Sequence, residues 1–238
     1  MTVGETLHGT SKDPLQSRFS PDLLRRLVVE PLLTVSLKTL LRPGQAMRSS
    51  QFDQFPAPDG QVVMLGDSIT EGGIWQEWFK GMPVLNRGIS SQTSGDLLRR
   101  LDSAIGRPAA VFLLIGTNDL TSGVSLQDIV SNVRTLLEEV ERRAPGTPVV
   151  VQSVMPRTRR YHDDLRRLNR AYQALVLEMG GSVEYLDLWP ALADDDGHLI
   201  SSYTEDHIHL NGAGYAAWLK VLRPQIERFL DQAEPPSA

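Results

Sequence analysis

Apolar and polar positions follow two different rhythms along this chain. Five short β-rich runs, apolar in stretches more than in alternation, are bounded by turn residues: QVVMLG (61–66), PVLNRG (83–88), AVFLLIG (110–116), PVVVQSV (148–154) and VEYLDL (183–188). Their length and aliphatic content predict β-strands. The absence of in-and-out alternation predicts strands covered on both faces, as in a parallel sheet. Between them the period lengthens to that of a helix. In LQDIVSNVRTLLEEVERRA (126–144), Ile129, Val133, Leu136, Leu137 and Val140 recur three and four apart, with Ser125 placed as N-cap. SGDLLRRLDSAI, HDDLRRLNRAYQALVLEM and GYAAWLKVLRPQIERFL repeat the pattern, and Pro224 in the last is expected to kink or restart that helix. Strand alternating with helix predicts an α/β fold, a three-layer α/β/α sandwich with right-handed crossovers and its chemistry at the carboxyl ends of the strands.

The first 55 residues stand apart. A helix is expected from about Ser20, opened by Ser-Pro-Asp, to about Leu41, ahead of Arg42-Pro43-Gly44. Its wide apolar face suits packing on the outside of the sandwich, with a lid, a homo-oligomer contact or a membrane-surface helix as alternatives. The expected organisation is an N-terminal extension over 1–55, one domain over 56–232 and a frayed tail over 233–238.

Composition narrows the chemistry. With 24 basic and 29 acidic residues and a net charge of -5, nothing favours nucleic acid, whose phosphates require a basic face. The absence of cysteine removes disulfides, thiolate nucleophiles and cysteine metal sites. The stretch LVVEPLLTVSL is broken by Glu30 and Pro31 and is too short to span a membrane, and no basic-then-apolar leader opens the chain, so a cytoplasmic location is expected.

The first strand runs into Gly66-Asp67-Ser68-Ile69-Thr70. A serine on a strand-to-helix turn has an exposed hydroxyl beside amide dipoles that favour developing negative charge, although the pentapeptide taken alone reads as a helix cap. A serine nucleophile needs a base, and there are five histidines: His8, His162, His198, His207 and His209. His209 has Asp206 three residues before it, a spacing that in one helical turn puts carboxylate and imidazole on the same side. His207 and His209 are two apart and raise a zinc alternative, but the segment leads into a helix and no second ligand cluster accompanies it, so His207 is read as a surface residue. Oxyanion donors are available after the second strand, at Gly88, and after the third, at Asn118 in Gly116-Thr117-Asn118-Asp119. Gly212-Ala213-Gly214-Tyr215-Ala216-Ala217 matches a dinucleotide fingerprint as a string but follows no strand. Trp75 and Trp78 offer a substrate wall or core packing. Arg157, Arg159 and Arg160 offer an anion dock or a solvated charge run.

GDSIT, the glycine of NRG, GTND and DHIHLNGAGY resemble, in order and approximate spacing, the four signature blocks of the GDSL/SGNH hydrolase family. The likeness runs from about residue 60 to 225 and looks closest to bacterial members related to platelet-activating-factor acetylhydrolases and sialate O-acetylesterases. It implies a flavodoxin-like five-stranded sheet, Ser68 as nucleophile, and Asp206 and His209 as the rest of a triad. It further implies an oxyanion hole from the Ser68 amide, the Gly88 amide and the Asn118 side chain, with neither metal nor organic cofactor. One departure is visible, since family members often carry glycine where this chain has Ser91. The expected activity is hydrolysis of a small short-chain ester, such as an acetylated sugar or lipid, with an acyltransferase and a non-catalytic binding module as alternatives.

Overall fold

The computed structural model describes residues 30–232. Two compact units divide the chain between Leu40 and Leu41. Of the first, the described part is the opening of a helix, α1, which spans Glu30–Gln54 and so continues into the second unit. Its expected beginning near Ser20 lies outside the described residues, as does the tail over 233–238. Its expected end near Leu41 is corrected, because the helix passes through Pro43 and Gly44. Proline in a helix interior costs about 3 kcal/mol. Beyond it, Phe52 is buried and Gln45 bonds the Ser90 carbonyl, so tertiary contacts carry the helix past its local stop signal.

In the second unit five parallel strands, β1 (Val62–Gly66), β2 (Val84–Gly88), β3 (Ala110–Leu114), β4 (Val149–Gln152) and β5 (Val183–Leu186), pair in the order β2-β1-β3-β4-β5. Registers such as Gly66↔Gly88 and Gly66↔Leu114 bring the carboxyl ends of β1, β2 and β3 level. The order reverses beside β1, and an open α/β sheet gathers its site at such a switch point.

Successive side chains of a strand point to opposite faces. Val63, Leu65, Val111, Leu113, Val149 and Val151 accordingly share one core with α4 (Ser94–Arg99), α5 (Leu101–Ala104), α7 (Leu126–Arg143) and α8 (His162–Met179). Val62, Met64, Ala110, Phe112, Leu114 and Val150 share the other with Trp75, Phe79, Trp218, Leu222, Ile226 and Phe229. This second face carries α2 (Ser68–Glu71), α3 (Trp75–Trp78) and α10 (Gly212–Gln232). The chain order is completed by α6 (Thr117–Thr121) and α9 (Trp189–Leu192). The result is the expected three-layer sandwich. Ser125 caps α7 by accepting from the Asp128 amide, as its sequence predicts. Pro224 does not restart the last helix: Leu222, Ile226 and Phe229, on both sides of it, are buried against the sheet, and packing of this kind dominates helix stability. Among the described residues no helix is long and apolar enough to cross a membrane.

Candidate active site

Ser68 is the first residue of α2, two positions past the end of β1. Asp67 caps the helix, its Oδ1 accepting the Ile69 amide at 3.0 Å. The Ser68 N–H is one of those a helix start leaves without an intrahelical acceptor. Gly66 is required by close approach, since a Cβ there would lie 2.4 Å from the Leu114 carbonyl oxygen. Trp75 braces the turn from below, wholly buried, with its indole N–H on the Thr70 carbonyl at 2.8 Å. Its ring meets Trp78 and Trp218 edge-on, so Trp75 belongs to the core, while Trp78 is half-buried against Tyr215.

Ser68 Oγ lies 2.9 Å from His209 Nε2, and His209 Nδ1 lies 2.6 Å from Asp206 Oδ2. The expectation that Asp206 and His209 share a helical turn is corrected, because α10 begins only at Gly212. The segment is an irregular loop built by side-chain-to-backbone bonds. Thr204 Oγ1 accepts the Asp206 and His207 amides, Asp206 Oδ1 accepts the Ile208 and His209 amides at 2.9 and 2.8 Å, and His207 takes the left-handed conformation at φ 61°. Thr, Asp and Asn side chains compete with helical hydrogen bonding in this way. Asn211 then caps α10 through the Ala213 and Gly214 amides. Tyr215, one turn on, donates to the Ile69 carbonyl at 2.7 Å and so couples the segment that follows His209 to the helix that carries Ser68. His207 is exposed.

Partial burial works against charge on Asp206, but the His209 ring and the His209 and Ile208 amides hold its carboxyl well below the ordinary value. A charged Asp206 accepts a hydrogen bond from Nδ1–H, which keeps the proton on Nδ1 and leaves the Nε2 lone pair facing the Ser68 hydroxyl. Asp67 is the opposite case. Burial pushes its carboxyl up to about 7, against the Ile69 amide hydrogen bond and the nearby His209.

The candidate oxyanion groups are near and already engaged. Gly88 ends β2 against the Ser68 turn, where a Cβ would meet the Glu71 nitrogen at 2.2 Å and the Asp67 carbonyl oxygen at 2.8 Å. Its amide donates to Asn86 Oδ1 at 2.9 Å. Asn118, on α6, donates Nδ2–H to the Gln92 carbonyl at 3.0 Å and to Asp67 Oδ2 at 3.4 Å. Ser91 adopts φ 61°, so the loop keeps a glycine-like backbone with a serine in it.

Several residues around the site carried no readable signal. Asn86 Nδ2 bonds the Glu71 and Gly73 carbonyls, and Glu71 Oε2 takes the Ser90 amide at 2.6 Å. Buried Asp119 takes the Ser94 amide and hydroxyl, which ties α6 to the start of α4. Arg157 is no solvated charge: it is buried over the Tyr161 ring at 4.0 Å, and its Nη1 reaches Thr117 Oγ1 and Thr121 Oγ1 at 3.1 and 2.9 Å. Arg159 and Arg160 are exposed. A separate open cavity of about 440 Å³, lined by His162, Arg166, Asp187, Trp189 and Asp194 among others, contains none of Ser68, Asp206 or His209.

A model of the GDSL-like lipase/acylhydrolase family matches residues 64–217. The chain is 29% identical over 182 residues to platelet-activating factor acetylhydrolase IB subunit alpha1 of Bos taurus, covering 72% of this chain and 77% of that protein. It is 25% identical over 181 residues to the alpha2 subunit of Rattus norvegicus, covering 72% and 78%. Among solved structures, a Streptococcus pneumonia chain described as a candidate platelet activating factor superposes with a TM-score of 0.76 at 28% identity, covering 82% of this chain and 98% of its own. A GDSL-like lipase of Bacteroides thetaiotaomicron superposes with a TM-score of 0.65 at 23% identity, covering 77% and 97%, and supports the fold. With the Ser68 turn, strands β2 to β5 and the start of α10 inside the matched region, the chain belongs to the GDSL-like lipase/acylhydrolase family and is a carboxylic ester hydrolase.

Proposed function

We propose that this hydrolase cleaves short-chain carboxylic esters, acetyl esters foremost, through an acyl-enzyme on Ser68. The observation that carries the reading is the continuous contact Ser68 Oγ–His209 Nε2–Nδ1–Asp206 at 2.9 and 2.6 Å. His209 removes the hydroxyl proton as Ser68 Oγ attacks the ester carbonyl carbon, and Asp206 stabilises the imidazolium. His209 returns the proton to the departing alkoxide. Water, deprotonated by the same ring, then cleaves the acyl-enzyme to carboxylic acid and free serine.

The carbonyl oxygen becomes negative next to the Ser68 amide, the Gly88 amide and Asn118, each worth about 2.7–4 kcal/mol to the transition state. Gly88 N–H shares its proton between Asn86 Oδ1 and the oxyanion. The 3.4 Å bond from Asn118 to Asp67 is at the weak limit of hydrogen bonding and gives way to the oxyanion. Acetyl preference is supported by the names of the platelet-activating factor acetylhydrolase relatives. No step calls on a metal or an organic cofactor, and the alcohol half is a small molecule.

The test is kcat/KM on p-nitrophenyl acetate, butyrate and octanoate, with product analysis in the presence of sugar acceptors. A preference that falls with chain length, with acetate released to water, is expected. A preference for octanoate, or transfer of the acetyl group to the acceptor, would contradict the reading.

A further inference from the structure

Arg100 follows α4 and interrupts what the sequence reads as one helix; its side chain turns inward and is 7% exposed. Nη2 donates to the Gly66 carbonyl at 3.2 Å and to the Arg87 carbonyl at 2.9 Å, and Nε donates to Gln92 Oε1 at 2.5 Å. All three acceptors are neutral, and Nη1 is buried with no hydrogen-bond partner among the described residues. Burying a guanidinium on such terms is costly, so this charge is poorly explained as a stabilising device.

Its partners suggest another role. In a trans peptide the C=O and N–H share one plane and point opposite ways. A donor fixed on the Arg87 carbonyl therefore aims the Gly88 N–H. The bond to the Gly66 carbonyl, which also takes the Ile89 amide at 3.1 Å, fixes the Gly66–Asp67 peptide at the end of β1, one peptide ahead of the Ser68 amide. Gln92, held by Nε, presents its own carbonyl to Asn118 Nδ2 at 3.0 Å. One guanidinium thus reaches the Gly88 peptide directly and Asn118 through Gln92, two of the three groups assigned to the oxyanion.

The other side of the cluster is closed by α1, upstream of the region the family model matches. The buried Phe52 ring lies 5.7 Å from the Arg100 guanidinium carbon, 4.4 Å from that of Arg87 and 5.1 Å from that of Arg48. Arg48 approaches Glu71 at 3.5 Å, Glu71 accepts from the Ser90 amide and hydroxyl, and Gln45 Nε2 donates to the Ser90 carbonyl at 2.7 Å.

We propose that Arg100, covered by Phe52 of α1, is a positioning residue that holds the Gly88 peptide and, through Gln92, Asn118 in the geometry that receives the oxyanion. The proposal rests on the oxyanion reading given under Proposed function. Misplacing a catalytic group by about an ångström costs on the order of a hundredfold. Arg100→Lys keeps the charge but cannot bond all three acceptors at once, so kcat on p-nitrophenyl acetate is expected to fall on the order of ten- to a hundredfold. KM should stay within about twofold, because the substrate carbonyl gains its charge only in the transition state.

A thermodynamic cycle separates positioning from general damage. In an Asn118→Ala background, where the aimed side chain is gone, Gln92→Ala should cost less than about threefold in kcat, against on the order of tenfold in the wild type. Gln92→Ala leaves the arginine in place, so it decides the matter even if Arg100 variants fail to fold. Wild-type kcat in Gln92→Ala, or equal losses in both backgrounds, overturns the proposal. Wild-type kcat in Asn118→Ala instead overturns the oxyanion reading beneath it.

Discussion

Ser91→Gly should stabilise the protein. Ser91 sits at φ 61°, where an L-residue's Cβ crowds the following carbonyl at a cost of roughly 1–2 kcal/mol and glycine carries none of it. Glycine returns part of that gain through the larger entropy of its unfolded chain, about 0.5–1 kcal/mol. The net expectation is about 0.5–1 kcal/mol, or roughly 1–4 °C in Tm for a domain of this size. The backbone has little freedom to drift in response. Ile89 N–H is on the Gly66 carbonyl, Ser90 N–H on Glu71 and the Gln92 amide on the Ile89 carbonyl, so kcat should stay within about twofold. Urea unfolding followed by circular dichroism measures the change, with Ser91→Ala as the control that removes the hydroxyl but retains the Cβ. Stability of Ser91→Gly at or below that of Ser91→Ala would refute the strain argument.

Three further outcomes follow from the geometry around Ser68. Asp206→Asn removes the acceptor that holds the His209 Nδ1 proton and should lower kcat on the order of 10⁴-fold, with KM little changed, in steady-state assays. Gly88→Ala forces a methyl into the Glu71 and Asp67 backbone and should cost at least about 1–3 kcal/mol in urea unfolding, along with most of the activity. Asp67 protonates more readily folded, at about 7, than unfolded, near 3.8, so the native state binds the extra proton between those values and stability declines as pH rises through that window. Asp206, held low, acts in the opposite sense only as pH falls below the ordinary carboxylate range. Urea midpoints at about pH 5 and about pH 8 should differ in wild type and converge in Asp67→Asn; equal slopes in the two would contradict the assignment.

The sandwich was legible because its central strands β1, β3 and β4 are buried along their whole length and read as apolar runs, while the half-buried edge strand β5 was marked by its place in the strand–helix alternation. The α7 cap was legible because Ser125 stands immediately before the periodic stretch that forms the helix. The Asp206–His209 pairing was legible as well, but the backbone that makes it was not. Asp206 and His209 meet through a loop that Thr204 and Asp206 build with their own side chains, and a helical turn would have given a similar meeting of side chains. What could not be read depends on partners distant in sequence. The continuation of α1 past Pro43 is anchored on Arg87, Ser90 and Glu71, whereas local propensity indicates a stop. Arg100 lies in a basic, helix-like string, and nothing near it marks a side chain directed at the ends of two strands. Arg157 is similar: flanked by exposed arginines in sequence, it is itself bonded to α6.

The central claim is that Ser68 carries the acyl group and His209 activates it. The direct measurement is peptide mapping by mass spectrometry after brief exposure to a fluorophosphonate, run beside p-nitrophenyl acetate turnover. The account predicts one label, on Ser68, that is absent from Ser68→Ala and strongly slowed in His209→Ala, with turnover lost in parallel. A label on another residue, or undiminished turnover in Ser68→Ala, would contradict it.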